Sequence, residues 1–225
     1  IFGYDTEEGN ALVYADYAQL EMRCICAITG ELRMAGLLRE GEDLHDFTAK
    51  MLFGANFTKD QRQVAKTANF GLLYGAGVKV FLSILITDAN LMLSELEGSD
   101  TKRKWRNLWG TISKWQDKGM TDWRGGKAWS TPFGRMYTAK RSTDQLNIIN
   151  SGFGAEIAKL ALHYMMPELK ALPEEWNVRL LNFIHDSYIV SCINDEEAYK
   201  KVSEIVANAM QKAWFEGLRT GIDLK

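Results

Sequence analysis

Two aspartates and one ladder of four side chains are the residues whose types and spacing could do chemistry in this chain. Asp16 closes the apolar run Ala11-Leu12-Val13-Tyr14-Ala15, and Asp186 sits in His185-Asp186-Ser187, between two largely apolar stretches. Arg62, Lys66, Phe70 and Tyr74 recur at a spacing of four, so on a helix they form one slowly drifting stripe. Two cations followed by two aromatic faces match the needs of a nucleoside triphosphate: charge neutralisation at the phosphates, a flat surface near sugar and base. An ordinary amphipathic helix with solvated cations and buried aromatics has the same composition, and composition alone favours it. Asp16 is equally open. An acid at the end of a buried strand needs a partner, so it reads as a metal ligand or general base, or else as the N-cap of the helix that follows.

The elements that must position these groups can be read in order. Ala11–Tyr17 reads as a short buried strand, followed by a helix from Gln19 to Ile28. Asp43 is the expected N-cap of a second helix, with His45 in its first turn, where a lone histidine is most often a polar surface residue. Thr58 is a plausible cap for the helix that carries the stripe, and Gly75 can end it. Further helices are expected at Val80–Ile86, Leu91–Glu97 and Thr101–Met120. The run Lys102, Arg103, Lys104, Arg106 with Trp105 and Trp109 suits nucleic-acid backbone contact; a solvated face over packed tryptophans is the commoner explanation. Arg124–Tyr137 looks like a turn between short strands, then a long helix from Thr143 to Met166 stops before Pro167. Val178–Ile184 and Tyr188–Ile193 form a hairpin with a charged tip, and a helix from Glu196 to Phe215 precedes a short segment, Thr220–Lys225. Strands at both ends with helices between predict an α+β fold: an antiparallel sheet with supporting helices and an inserted helical lobe.

Bulk properties narrow the classes. The 225 residues are 46% hydrophobic and 25% charged, ordinary globular usage that argues against disorder. A net charge of −2 means that any nucleic-acid site must be local. Cys24 and Cys26 are too close for zinc spacing, and the three cysteines read as reduced thiols in a cytoplasmic setting. No stretch suits a bilayer: the best candidate, Val78–Leu93, is broken by Ser83, Thr87, Asp88 and Asn90. No basic-then-apolar leader opens the chain, and Ile1 in place of an initiator methionine suggests a piece of something longer or a processed product.

Three stretches in register resemble the signature of family A DNA polymerases, the bacterial polymerase I type. Asp16-Tyr17-Ala18-Gln19-Leu20-Glu21-Met22-Arg23 resembles the first catalytic motif, and Arg62 to Gly75 the nucleotide-binding helix with its Arg-x₃-Lys-x₃-Phe-x₃-Tyr-Gly pattern. Ile184-His185-Asp186 resembles the catalytic hairpin, while Asp43-Leu44-His45 and Thr131-Pro132-Phe133-Gly134-Arg135 fall where the family has similar stretches. The resemblance spans nearly the whole chain. It implies template-directed DNA synthesis from dNTPs on a primer–template, with two Mg²⁺ ions (Mn²⁺ as substitute) held by Asp16, Asp186 and the backbone carbonyl of Tyr17. Two such ions, roughly 3.5–4 Å apart, stabilise the attacking and leaving oxygens of an in-line transfer.

The remaining roles are likewise implied by the resemblance. Arg62 and Lys66 would hold the β- and γ-phosphates, with His45 as an additional contact, and Lys66 would count among the catalytic groups. Phe70 would pack on the sugar, Tyr74 beside the base or template, and Glu21 would exclude a ribose 2′-OH. Gln19, Asn147 and Arg135 are weaker candidates for primer–template contact. Two departures stand out: Ser187 where the family usually has an acid, and Ser151 where it usually has a glutamine. The expected layout is palm at 1–40, fingers at 41–129 and palm again at 130–225, with thumb and exonuclease absent, and with the thumb and the remaining palm supplied by a second polypeptide or an N-terminal portion. A non-catalytic nucleotide-binding module and a metal-dependent phosphodiesterase are the rival readings. Intact Asp16, Asp186, Arg62 and Lys66 weigh against the first, and a triphosphate-binding helix has no use in the second.

Overall fold

The computed structural model describes the backbone of residues 10–221 and the side chains of residues 10–215. In chain order the elements are β1 (Asn10–Asp16), α1 (Leu20–Thr29), α2 (Leu32–Glu40), α3 (Leu44–Phe53), α4 (Lys59–Gly71), α5 (Val78–Ala89), α6 (Glu95–Leu108) and α7 (Gly110–Arg124). They continue with β2 (Trp129–Ser130), β3 (Met136–Tyr137), α8 (Ser142–Lys170), β4 (Arg179–Ile184), β5 (Ser187–Ile193) and α9 (Glu196–Gly221). Mixed helices with small antiparallel sheets make this the expected α+β class. The described chain divides into two compact units, residues 10–20 with 152–221, and Glu21–Ser151. These limits fall elsewhere than the 40/41 and 129/130 boundaries expected for palm and fingers.

In the first unit β5 is the central strand of a three-stranded sheet, order β1-β5-β4, with antiparallel neighbours on both sides. Its near-continuous burial reflects strand neighbours at both edges together with the helices on the sheet, α9 and, through Tyr188, α8. Helix α9 packs on β1 and β5, and its Ala198, Val202, Ile205 and Ala209 are buried. The hydroxyl of fully buried Tyr188 donates to the carbonyl of Ala158 on α8 at 2.7 Å, so the polar end of this ring is satisfied inside the core. Pro167 does not end α8. Met165 and Leu169 are buried on either side of it, and their packing carries the helix to Lys170 past the one missing backbone donor. The final helix also outruns the expected Phe215, and the remainder of the terminal segment, 222–225, lies outside the described residues.

The second unit is helical around a core that includes Met22, Met34, Leu44, Val64, Leu73, Phe81, Trp105 and Trp109. Helix α2 was not anticipated. The helix expected at Leu91–Glu97 is instead extended chain as far as Ser94, whose side chain forms a capping box with Glu97 and starts α6 there. The long helix expected over Thr101–Met120 is two, because Trp109 leaves helical geometry (φ −106°, ψ 58°) to bury its ring fully. Trp129–Ser130 and Met136–Tyr137 pair around the expected turn. All three cysteines are buried and none is in a disulfide. Burial, then the Glu31 carboxylate, pushes the Cys26 thiol up to about 12, which makes it inert. Among the described residues no helix is long and apolar enough to cross a membrane.

Candidate functional site

Asp16 is the last residue of β1 and lies opposite Ser187, the first residue of β5, so the sheet register itself brings it beside the hairpin tip. The tip is the two-residue turn His185-Asp186, which His185 enters with φ 61°. Asp186 is half-buried; burial, and then the Asp16 carboxylate within hydrogen-bonding reach, push its carboxyl above the usual range. Two carboxylates facing one another this way suit a cation between them. Mg²⁺ needs few protein ligands, since it keeps waters and takes substrate phosphates, so the pair fits that ion although the described residues hold no cluster of three metal-binding side chains. The N-cap reading of Asp16 fails, because α1 starts only at Leu20. Tyr17 is anchored through its hydroxyl to the Met210 carbonyl at 2.8 Å and by edge contact with Tyr188. Gln19 is exposed in the turn before α1, with φ 53°.

Ser187 does not replace the acid it displaces. It is buried, and its hydroxyl donates back to the Ile184 carbonyl at 2.9 Å, closing the turn.

In the second unit α4 begins at Thr58 with a capping box to Gln61 and buries Val64, Ala65, Thr67, Ala68 and Asn69. The opposite face carries the stripe. Lys66 and Phe70 are exposed, and Arg62 and Tyr74 are half-buried. The α-helix stops at Gly71 and continues as one 3₁₀ turn, Leu72–Tyr74, ended by Gly75 at φ 78°, so Tyr74 sits off the regular helical stripe. A cavity of about 760 Å³ runs along this face, lined by Lys66, Phe70, Tyr74, Arg141, Asp144 and Asn147 among others. Lys66 forms no ion pair among the described residues, whereas Arg62 is held by Asp46 and, at 2.5 Å, by Asp43. His45, expected at the surface, is 9% exposed; its ring lies 5.6 Å from that of Phe70, and burial lowers its pKa.

Glu21 and Tyr74 meet around Asn150. The fully buried amide of Asn150 donates to the Glu21 carbonyl and to the Tyr74 hydroxyl, each at 3.1 Å. Ser151 reaches the Glu21 carboxylate at 3.3 Å and Asn147 at 2.8 Å. Burial, then the Glu21 charge, pushes the Tyr74 hydroxyl up, so it stays protonated. Asp46, Asn69 and Asn150 are the residues that sequence reasoning missed. Asn69 and Asn150 carried one signal, a polar side chain on the apolar side of a helix.

The basic run takes no part. Arg103 and Lys104 pair with Asp100, Arg106 with Asp117, and Lys102 donates to the Ala76 carbonyl at 2.6 Å. Trp105 and Trp109 are fully buried beneath them, which is the solvated-face alternative. Arg135 lies at the β2–β3 turn, its backbone paired with Thr131.

A sheet with two acids at its strand end and hairpin tip, and a helix presenting cations and aromatics, are the two candidate site elements of an α+β protein. The family model for DNA polymerase family A matches residues 3–224, and the chain belongs to that family. It is 27% identical over 93% of its length to DNA polymerase I of Aquifex aeolicus, covering 37% of that protein. It is 30% identical over 90% of its length to the thermostable DNA polymerase I of Thermus filiformis, covering 25% of it. Among solved structures, the POL domain of Pol1 from M. smegmatis, in complex with DNA primer-template and dNTP, matches with a TM-score of 0.77 at 23% identity, over 92% of this chain and 37% of that one. The chain therefore spans 25–37% of the length of these relatives.

Proposed function

We propose that this chain is the catalytic palm and fingers portion of a DNA-directed DNA polymerase, acting in the cytoplasm on primer–template DNA and dNTPs. The observation that carries the reading is the meeting of Asp16 and Asp186 across the β1–β5 ladder, in a chain that also exposes Lys66 and Phe70 on one face of α4. The unit containing the sheet is assigned to the palm and the helical unit to the fingers.

Bound between Asp16 and Asp186, with the Tyr17 carbonyl as a further ligand, Mg²⁺ would stabilise the attacking 3′-oxygen and the leaving pyrophosphate. Arg62 and Lys66 neutralise the β- and γ-phosphates, and His45 adds a hydrogen bond to them. Phe70 packs on the sugar, and Glu21, held through Ser151, occupies the space of a ribose 2′-OH. Gripping a primer duplex needs many phosphate contacts. The one dense basic run is committed to ion pairs and a carbonyl, and β1 and β4 are open edges among the described residues. A second polypeptide or a longer N-terminal portion is therefore assigned the thumb and the remaining palm.

Primer extension tests the reading, with the chain alone and with co-purifying proteins. The lone chain is expected to bind duplex weakly and salt-sensitively and to give very short products or none, and the partner to restore synthesis. Asp16→Asn or Asp186→Asn should abolish extension by the competent assembly while preserving the fold. Near-parental turnover by either variant would remove the metal assignment, and robust synthesis by the lone monomer would remove the partner.

A further inference from the structure

Behind the exposed stripe lies a buried polar relay that runs from α6 through α4 to α3. Trp105 and Asn69 are fully buried, Thr48 is too, and His45 is nearly so. The indole nitrogen of Trp105 donates to Asn69 Oδ1 at 2.9 Å. Indole is only a donor, so this bond fixes which end of the Asn69 amide faces the tryptophan. The amide nitrogen must then face the other way, where it lies 3.1 Å from His45 Nδ1 and 3.1 Å from Thr48 Oγ1. Thr48 spends its own proton on the Leu44 carbonyl at 2.7 Å, so it accepts from Asn69. The count closes: both amide protons and the amide oxygen of Asn69 have partners.

One consequence reaches the site. An amide N–H can only donate, so His45 Nδ1 must be the bare, accepting nitrogen of a neutral imidazole, and the ring proton sits on Nε2. The geometry points to Asn69 and Trp105 as positioning residues that set the tautomer of His45, so that it offers an Nε2–H donor to a polyphosphate chain. This inference rests on the reading of the α4 face as a triphosphate site. A neutral donor suits that place. The charged groups acting on His45 are Asp43 and Asp46 from its own segment and Arg62 and Lys66 from α4, both signs together, and burial tips the ring towards the uncharged form. Asn69 lies on the buried side of α4, adjacent in sequence to Phe70, so the relay couples His45 to the same helix that carries the stripe.

The test is nitrogen NMR of the imidazole rings, which is tractable because the chain has three histidines. In the parent, His45 should show an unprotonated Nδ1 and a protonated Nε2 at neutral pH, and should titrate below the ordinary histidine value of about 6.5. Asn69→Asp puts an acceptor opposite Nδ1; the proton should move to Nδ1 and the titration should shift upwards. Trp105→Phe removes the bond that orients the amide and should leave a mixture of tautomers. A parent His45 protonated on Nδ1, or a tautomer unmoved in both variants, would overturn the relay, and the parent measurement decides even if a variant fails to fold. Titrating inorganic tripolyphosphate should move the His45 Nε2 signal in the parent, and Asn69→Leu should weaken that binding about fivefold, the net worth of one hydrogen bond. If tripolyphosphate leaves His45 untouched while the tautomer is as stated, the relay stands and the phosphate reading of this face is what fails.

Discussion

Replacing Asp46 by asparagine should strengthen, not weaken, binding of a triphosphate to this chain. The Arg62 guanidinium is gripped through Nε by Asp46 and through a terminal nitrogen by Asp43, and to hold a phosphate it must exchange carboxylate for phosphate oxygen. All three side chains are substantially exposed, Arg62 at 38%, Asp43 at 44% and Asp46 at 50%. Exposed ion pairs contribute only about 0.2–1 kcal/mol each, so relieving one should tighten binding roughly 1.4- to 5-fold. The gain should shrink as salt rises, since the Debye length is about 10 Å at 0.1 M. The substitution also removes an acid from the first turn of α3, at a cost of about 0.3–1 kcal/mol of stability. The assay is calorimetric titration with inorganic tripolyphosphate at low and moderate salt, with Asp100→Asn as the control, an exposed ion-pair acid off the stripe. Unchanged or weaker binding by Asp46→Asn at low salt would refute the competition and make the carboxylate an orienting group instead.

Phe70→Tyr should admit dideoxynucleotides far better, because its hydroxyl can replace the hydrogen bond lost with the 3′-OH; competition between dideoxy- and deoxynucleotides in the competent assembly reads this ratio. Gly119→Ala should destabilise: an added Cβ would lie 2.6 Å from Leu146 Cδ2 and 2.9 Å from Trp129 Cη2. Overpacking of about 1–3 kcal/mol there outweighs a helix-propensity gain of about 1 kcal/mol, which urea melts can resolve. For Asp186, the folded pKa lies above the unfolded one, so the metal-free protein should lose stability as pH rises from about 3.9 through the folded value. Asp186→Asn should flatten that slope in thermal melts at several pH values, and a slope unchanged by the variant would contradict the burial and charge assigned to this carboxyl.

Periodicity and capping made much of this protein legible without coordinates. The four-residue spacing from Arg62 to Phe70, the Thr58 cap and the Asp43 cap are local facts, decided within a few residues by helical geometry and orphan amides. The hairpin around Asp186 was readable for the same reason. Long-range pairing was not. Nothing in the neighbourhood of Asp16 says that it stands opposite Ser187, since register is settled by which faces of β1 and β5 can be buried together. Pro167 and Trp109 show local preference overruled by packing: one helix continues past its breaker, and another stops where a tryptophan needs the core. The roles of Asp46, Asn69 and Asn150 were decided by tertiary structure alone. Each is an ordinary polar residue until another segment supplies its partner: an arginine from α4, an indole from α6, the Glu21 carbonyl from α1. Hydrogen bonds and ion pairs are short-ranged and directional, so their partners belong to the fold and not to the spacing of letters along the chain.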